Sequence, residues 1–230
     1  MLHQWENVTP DGNVRVLRYS FGPGLANSFA ARLPDRSWAV VSPCCGAPES
    51  ALDALGSDGG VSALVANNGF HHMGQPAWRK RFPQAVSYAP TGSLPRLGAK
   101  SREVPYRPLD ELTPALAGLV EFVVPAGMKV ADLIVRAANP VGDVWFMGDL
   151  VSNTGPGDTK APFSWIFGML GGGTGYRFNP VPAMVFVKDK AAWKADVRQR
   201  VEAAPLAAVV PAHGATVRDN AADATRAVLR

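Results

Sequence analysis

A short apolar run leads directly into two adjacent histidines in the stretch Val61-Ser62-Ala63-Leu64-Val65-Ala66-Asn67-Asn68-Gly69-Phe70-His71-His72-Met73-Gly74. The run from Val61 to Val65 is apolar and rich in valine, which predicts a buried β-strand. In α/β proteins the chemistry is placed at the ends of such strands. Because neutral imidazole is a good ligand for zinc and related ions, His71 and His72 are candidate metal ligands.

Two other apolar runs end in a similar way. Val144-Trp145-Phe146-Met147 is followed by Gly148-Asp149, and Val209-Val210 is followed by Pro211-Ala212-His213-Gly214. Three predicted strand ends therefore carry side chains that can bind a metal. An interpretation without a metal stays open, because a histidine at a strand end is often only hydrogen-bonded and an aspartate after a glycine often caps a turn.

The stretch around His71 resembles the first signature of the metallo-β-lactamase fold superfamily, T-H-x-H-x-D-H-x-G. When the two are aligned without gaps, Asn67 and Gly69 take the places of the first two histidines. His71 takes the place of the aspartate, and His72 takes the place of the last histidine. The Met73-Gly74 pair continues the same register.

Three later segments resemble the remaining landmarks of that family, in the same order. Gly148-Asp149 resembles the pair that carries the family's bridging carboxylate, and Ala212-His213-Gly214 resembles the turn that carries its last histidine. The family's middle histidine lies in a P-G-H-T-x-G segment. The similar segment here runs from Pro125 to Val130 and has Met128 at the place of that histidine.

The resemblance implies that one metal site is lost and one is kept. The family's first metal is bound by three histidines, whose places are taken here by Asn67, Gly69 and Met128. The places of the second site are held by His71, His72, Asp149 and His213. Three nitrogens and one oxygen are enough to bind one divalent ion. Zinc is the expected ion, with iron or manganese as alternatives, because such a ligand set tolerates several metals.

The order of the predicted elements is that of an α/β fold. Predicted strands cluster from Val14 to Val41 and again from Leu119 to Met147, where one of them spans Val130 to Arg136; helix–strand units follow each cluster, including a helix from Asp189 to Ala204. Two sheets face to face with helices outside are expected from this order. It matches the αββα four-layer sandwich of two mixed β-sheets that the resemblance implies. No linker divides the chain, so residues 1–230 are expected to form a single domain.

Two functions are consistent with these residues. The first is a mononuclear metal-dependent hydrolase, in which the ion lowers the pKa of water to about 7 and polarises a carbonyl or phosphoryl oxygen. The resemblance makes Asp149 the shared catalytic carboxylate, and His71 is the candidate proton acceptor if it is not a ligand. The second function is a non-catalytic protein whose pocket binds a small molecule or a protein partner, because three of the family's ligands are missing.

Composition indicates an ordinary globular protein, and the expected partner is a small-molecule substrate or ligand. Hydrophobic residues make up 47% of the 230 residues, charged residues make up 18%, and the net charge is +4. No nucleic-acid partner is expected from so modest a charge. No membrane partner is expected either, since no window holds the roughly 20 apolar residues of a membrane helix. A cytoplasmic location is favoured, because no secretory signal is visible and the adjacent Cys44 and Cys45 are poorly placed for a disulfide.

Two neighbouring segments are candidates for the rim of a pocket. The stretch from Gly171 to Gly175 lacks the lysine followed by serine or threonine at the fixed spacing of a phosphate-binding loop, so we expect a flexible loop beside the pocket. The apolar segment before it, from Trp165 to Leu170, predicts either a pocket wall or a core helix. With Phe163 it could form an apolar lid over the strand ends, and the expected substrate is correspondingly apolar.

Overall fold

The computed structural model describes residues 2–230, apart from the side chain of Phe167, as an alternation of short strands and helices. The strands are β1 (Trp5–Asn7), β2 (Val14–Ser20), β3 (Leu25–Arg32), β4 (Trp38–Val41), β5 (Val61–Val65), β6 (Val86–Ala89), β7 (Tyr106–Pro108), β8 (Val120–Val123), β9 (Ile134–Ala137), β10 (Asp143–Phe146), β11 (Val151–Thr154), β12 (Gly175–Phe178), β13 (Leu206–Val210) and β14 (His213–Gly214). The α-helices are α1 (Glu49–Gly56), α2 (Gln75–Arg81), α3 (Leu94–Lys100), α4 (Phe163–Met169), α5 (Pro180–Phe186), α6 (Lys190–Glu202) and α7 (Ala221–Val228).

The strands form one large sheet and two smaller ones. Strands β1 to β7 pair in chain order, and the pairing changes from antiparallel to parallel after β4. A four-stranded sheet has the order β13-β10-β9-β8, in which only β10 and β13 are parallel. A three-stranded sheet has the order β12-β11-β14, with β11 and β14 parallel. The predicted mixed sheets are therefore present, and the second of them is divided into two pieces.

Three apolar layers show how the sheets and helices stack. The central layer joins the inner faces of the large and the four-stranded sheets, where the rings of Phe29 and Phe146 lie 5.7 Å apart. A second layer packs the other face of the large sheet against α1 and α2, with Trp78 fully buried in it. A third layer packs the outer face of the four-stranded sheet against α6 and α7 around Trp193. The order helix, sheet, sheet, helix confirms the predicted αββα sandwich.

Helix α6 shows how the local sequence builds an outer layer. The carboxylate of Asp189 accepts a hydrogen bond of 3.0 Å from a backbone N–H three residues later, which caps the start of the helix. Trp193, Val197 and Val201 are buried on one face because they repeat at helical spacing. The predicted helix is confirmed with its bounds at Lys190–Glu202. Within the described residues, none of the helices has both the length and the apolar character that a membrane crossing requires.

Two neighbouring strands of the second half are interrupted at the same level. Strand β10 ends at Phe146 and β11 begins at Val151, while β13 ends at Val210 and β14 begins at His213. Strand β10 pairs with β13, and β11 pairs with β14. At each interruption the chain therefore leaves the four-stranded sheet and enters the three-stranded one. Asp149 lies in the first interruption and His213 directly follows the second, so the fold brings these two side chains together.

The predicted strand from Val130 to Arg136 is wrong in its first half. Strand β9 begins only at Ile134, because the preceding residues bond to the loop after β5 instead of to β10. The N–H of Leu133 donates to the carbonyl oxygen of Asn67 at 2.9 Å, and Asp132 forms an isolated bridge with Asn68. This departure from the sheet carries the Asp132 side chain toward the strand ends.

Candidate metal centre

Three side chains from distant parts of the chain meet where the strands are interrupted. The Nε2 atom of His71 lies 3.2 Å from Asp149 Oδ1 and 3.3 Å from Asp149 Oδ2. The Nε2 atom of His213 lies 3.3 Å from Asp149 Oδ1. One potential ligand atom of each residue lies within 4.8 Å of the other two, and no other group of three or more such residues is as close in the part of the chain described. The structure thus brings together three of the four predicted metal ligands.

A backbone carbonyl sets the orientation of His213. Its Nδ1 lies 2.9 Å from the carbonyl oxygen of Leu25, so Nδ1–H donates and Nε2 is left facing Asp149. The ring of Phe21 packs against the imidazole, with 5.5 Å between the ring centroids. Burial lowers the pKa of His213, but the hydrogen bond and the negative charge of Asp149 outweigh burial and place that pKa above its ordinary value. Zinc-binding histidines are commonly held in this way, through the nitrogen that does not bind the metal.

Asp149 is the shared partner of both imidazoles. It is buried, and its Oδ2 accepts a hydrogen bond of 2.9 Å from Asn68 Nδ2. Burial opposes ionisation, but the charges and hydrogen bonds of His71 and His213 hold the pKa of Asp149 well below its usual range. The carboxylate is therefore charged at neutral pH and can serve as an oxygen ligand.

A second buried carboxyl group, Asp132, lies behind the three side chains, and the motifs did not indicate it. Its Oδ1 accepts hydrogen bonds from the side-chain amides of Asn67 and Asn68, at 2.9 and 2.8 Å. Its Oδ2 accepts one of 2.8 Å from the backbone N–H of Asp149. Burial, followed by the negative charge of Asp149, raises the pKa of Asp132 well above its ordinary value. The signal available in the sequence was an acid inside the apolar run from Val130 to Arg136, where an unpaired charge is costly.

Gly148 leaves the space in which the Asp132 carboxyl group lies. The backbone of Gly148 has a φ of +59°, a region that L side chains rarely adopt. A Cβ atom at this position would lie 2.6 Å from Asp132 Oδ2. The glycine before Asp149 is therefore required by the close approach as well as by the turn.

The structure places the fourth predicted ligand, His72, away from the other three. Its Nδ1 lies 3.2 Å from Ser101 Oγ, on the side of helix α3. Burial, together with the positive charges of Arg96 and Lys100, lowers the pKa of His72. The cause is a local turn, in which the side chain of Asn68 accepts a hydrogen bond of 2.8 Å from the backbone N–H two residues later. The adjacent imidazoles that follow this turn point in different directions, so they do not face one ion together.

Residues at the places of the family's missing histidines have structural contacts. The side-chain oxygen of Asn67 accepts a hydrogen bond of 2.5 Å from the Ser42 hydroxyl. Gly69 lies so close to Arg96 that a Cβ atom there would be 2.9 Å from its Cδ. Met128 packs in the outer apolar layer with α6. These contacts take the space that a first metal site would need for its ligands.

Two of the spacings between the potential ligand atoms are compatible with one bound divalent metal ion. Zinc binds nitrogen and carboxylate oxygen at about 2.0–2.1 Å, so a tetrahedral angle places neighbouring ligand atoms about 3.3 Å apart. The distances from His71 Nε2 and His213 Nε2 to Asp149 Oδ1, 3.2 and 3.3 Å, agree with that spacing. Two nitrogens and one oxygen leave a fourth tetrahedral position open, as in catalytic zinc sites.

A cavity of about 770 Å³ lies over His71, Asp149 and His213, which form part of its lining. Asp149 is the only carboxylate among the lining residues in the described part of the chain. The apolar side chains of the lining include those of Phe21, Leu25, Phe70, Phe163, Val185 and Phe186. The expected apolar pocket over the strand ends is therefore present.

Helix α4 and the glycine-rich loop form one side of this cavity. Phe163 and Gly168 of α4 line it, while Trp165 is 71% exposed to solvent. Within the predicted segment 165–170, Gly168 lines the cavity and the large side chains that the structure describes are exposed to solvent. The pocket-wall interpretation therefore holds in part, and the core-helix interpretation is wrong. Gly172 and Gly173 also line the cavity, so the predicted loop beside the pocket is present.

The two cysteines are free thiols. Cys44 is buried, and burial raises the pKa of its thiol to about 12. Cys45 lies at the cavity wall, and partial burial raises its pKa as well. Neither belongs to a group of three potential metal ligands within the described residues. The expectation that they do not form a disulfide is confirmed.

No protein-family model and no curated protein matches the chain by sequence. Solved structures match it over nearly its whole length. DIM-1 metallo-β-lactamase has a TM-score of 0.62 and 15% identity, with 98% of this chain and 96% of that chain covered. The mono-zinc form of FIM-1 metallo-β-lactamase from Pseudomonas aeruginosa has a TM-score of 0.61 and 14% identity, with 98% and 95% covered. A putative diflavin flavoprotein from Nostoc sp. has a TM-score of 0.58 and 14% identity, with 98% and 95% covered.

Proposed function

We propose that this chain, which has the metallo-β-lactamase fold, binds one divalent metal ion and hydrolyses a small, largely apolar molecule. The ion would be held by His71, Asp149 and His213. The observation that supports this proposal is the 3.2–3.3 Å spacing between both imidazole nitrogens and Asp149 Oδ1. A single ion is proposed because the described residues contain no second group of three potential ligands.

The bound ion would supply Lewis acidity, which polarises a carbonyl or phosphoryl oxygen and makes water a stronger acid. The surrounding side chains prepare the site for it. The carbonyl of Leu25 directs His213 Nε2 toward the centre, and Asn68 holds Asp149 Oδ2 so that Oδ1 faces both imidazoles. The apolar walls lower the local polarity beside the ion, which would strengthen electrostatic interactions there.

Zinc is the proposed ion, and iron or manganese are the alternatives. Two nitrogens, one carboxylate oxygen and an open position are typical of catalytic zinc, but the same ligands also bind the other two metals. The absence of a thiolate from the group of ligands means that no soft ligand favours zinc over them.

A non-catalytic binding protein is the second candidate, and one observation favours it. Asp149 is the only carboxylate of the described cavity lining, and two imidazoles already hold it. His71 was the predicted proton acceptor, but it belongs to the metal-capable group, and one nitrogen cannot serve as both ligand and base. In this alternative the cavity binds a small molecule without hydrolysing it.

Zinc retention by untagged protein tests the metal site. After equilibration with zinc and desalting, we expect one zinc per chain in the wild type and none in His71→Ala or His213→Ala. His72→Ala is the matched control, because it removes the neighbouring imidazole that contacts Ser101 instead of Asp149. It should retain one zinc.

Each outcome of this experiment separates the candidates. A wild-type protein that retains no stoichiometric zinc, iron or manganese would contradict the metal site. Retained metal with hydrolysis of ester, thioester or phosphoester substrates, lost in His213→Ala, supports the hydrolase. Retained metal without hydrolysis of any of these substrate classes favours the non-catalytic protein.

A further inference from the structure

One guanidinium group lines the cavity without a partner. Arg177 lies on β12, and its side chain makes no hydrogen bond or ion pair with another residue in the described chain. The other charge-bearing groups of the lining, His71, Asp149 and His213, are engaged with one another. The cavity therefore carries one uncompensated positive charge. Arg177 is half-buried at the cavity wall, so its guanidinium is available to pair with an anionic group of a ligand.

Sheet register places this guanidinium in a row with the metal-capable group. In the three-stranded sheet, Arg177 pairs with Ser152, and Ser152 pairs with His213. All three line the cavity, so they share one face of the sheet. Tyr176 and Phe178, on either side of Arg177, pack in the outer apolar layer on the opposite face. Because neighbouring strands lie about 4.8 Å apart, the backbones of Arg177 and His213 are about 10 Å apart.

The glycine-rich loop leaves space for the guanidinium. A Cβ atom at Gly173 would lie 2.3 Å from Arg177 Nη1, although the backbone of Gly173 is not in the left-handed region. The carbonyl oxygen of Gly173 accepts a hydrogen bond of 2.9 Å from Thr154 Oγ1, which ties the loop to β11. A methyl group at this position would therefore push the flexible Arg177 head group away from the place it takes here.

The remainder of the cavity suits a hydrocarbon group. The rings of Phe70 and Phe186 pack edge to face, 5.5 Å apart, in its wall. Phe163 and Val185 extend the apolar lining from there. A volume of about 770 Å³ lies within the range of pockets that bind drug-sized molecules. One charge and a long apolar wall are complementary to a molecule that has one charged end.

We propose that the cavity binds an anionic amphiphile, whose carboxylate or phosphate group pairs with Arg177 and whose alkyl or aryl group lies along the apolar wall. A bond near the charged end of such a molecule would then lie over His71, Asp149 and His213. As a substrate class this proposal rests on the proposed hydrolase, but the binding itself requires no metal.

Calorimetric titration of the metal-free wild-type protein in EDTA tests the binding. The probes are decanoate, decyl phosphate, decanol and decyltrimethylammonium, which share one chain length, together with acetate. We expect both anionic probes to bind about 10-fold or more tightly than decanol, since a charge-assisted hydrogen bond adds to apolar burial. Acetate and decyltrimethylammonium should show no measurable binding. The ratio of decanoate to decyl phosphate affinity identifies the preferred anion.

Variants separate the charged end from the apolar wall. Arg177→Gln should weaken decanoate binding about 10-fold and leave decanol binding unchanged. Gly173→Ala should also weaken decanoate binding, because it displaces the guanidinium while keeping its charge. Arg107→Gln is the matched control, since it removes the same charge from an arginine whose side chain is 60% exposed. Phe163→Ser should weaken decanoate and decanol alike.

Two results would overturn the proposal: equal affinity of the wild type for decanoate and decanol, or decanoate binding that Arg177→Gln leaves unchanged. The metal proposal is judged separately, by zinc retention. Retained zinc without decanoate binding would mean that the substrate class is wrong and the metal site stands. Decanoate binding without retained zinc would mean that the proposed ligand class stands and the metal site is wrong.

Discussion

The centre of this protein contains two neighbouring groups of side chains that are built from the same strand ends and behave differently. The outer cluster consists of His71, Asp149 and His213. The inner network consists of Asn67, Asn68 and Asp132. Each contains one buried carboxyl group, and Asn68 and the backbone of Asp149 connect the two. The carboxyl groups differ in their neighbours, because Asp132 is surrounded by N–H donors while Asp149 faces imidazole nitrogens.

The comparison shows how residue type separates a hydrogen-bonded structural network from a group that could bind a metal. An asparagine amide can only donate through its nitrogen, whereas a neutral imidazole offers a lone pair that binds a metal. Asn67 stands at the place of a family histidine, and here its amide donates to Asp132. The inner network thus satisfies its acid by hydrogen bonds, whereas the outer cluster places two imidazole nitrogens, which could bind a metal ion, beside its acid.

The largest effect on stability is expected from Asp132→Ala. The variant leaves two buried amides and the backbone N–H of Asp149 without their acceptor, which should cost about 3–5 kcal/mol of unfolding free energy. Urea denaturation of the metal-free protein measures this loss of unfolding free energy. Asp132→Asn keeps one oxygen acceptor and should cost less than half as much. A stability equal to that of the wild type in Asp132→Ala would show that the inner network is not structural.

A smaller effect is expected from Gly148→Ala, which strains the connection between the two groups. The added methyl group would meet Asp132 Oδ2 at 2.6 Å with the backbone at a φ of +59°, so we expect a loss of about 1–3 kcal/mol and weaker zinc binding. Denaturation and zinc titration measure the two effects. Gly168→Ala is the control, since a Cβ there meets nothing within 4 Å and lies within helix α4. Equal stability of both variants would contradict the close approach.

The outer cluster should give the metal-free protein a pH-dependent stability, because the pKa values of His213 and Asp149 are shifted in opposite directions. The pKa of His213 is raised in the folded state, so its contribution is complete below about pH 6.5 and is lost as pH rises through the raised value. The pKa of Asp149 is lowered, so its contribution is present above about pH 4 and is lost as pH falls through the lowered value. The difference in unfolding free energy between the wild type and His213→Ala should therefore be largest from about pH 4 to 6.5. A difference that grows above that range would refute the ion pair.

The smallest effect is expected from His72→Ala. His72 contacts Ser101 and not Asp149, so the loss of unfolding free energy should stay below about 1 kcal/mol. Its zinc affinity should equal that of the wild type in a competition titration with a chelator. A drop as large as that of His71→Ala would place both adjacent histidines in the outer cluster and remove the distinction between them.

Local sequence pattern was enough to predict some elements of the fold. The strand Val61–Val65 was predicted with its observed bounds, because it is a short, mostly apolar run that follows the turn residues Gly59-Gly60. The antiparallel strands β11 and β12 were missed, since they are partly exposed and have no strong alternation. The first half of the strand predicted from Val130 to Arg136 failed because the backbone there bonds to a distant loop.

The residues alone determined the layered α/β architecture and the three strand ends that carry the centre, because hydrophobic period and turn residues are local properties. Only the tertiary structure decided that His71 and not His72 faces Asp149, and that Asp132 and Arg177 belong beside them. The direction of a side chain after an irregular turn depends on backbone angles and on partners far away in sequence. Residue types and spacing do not specify either.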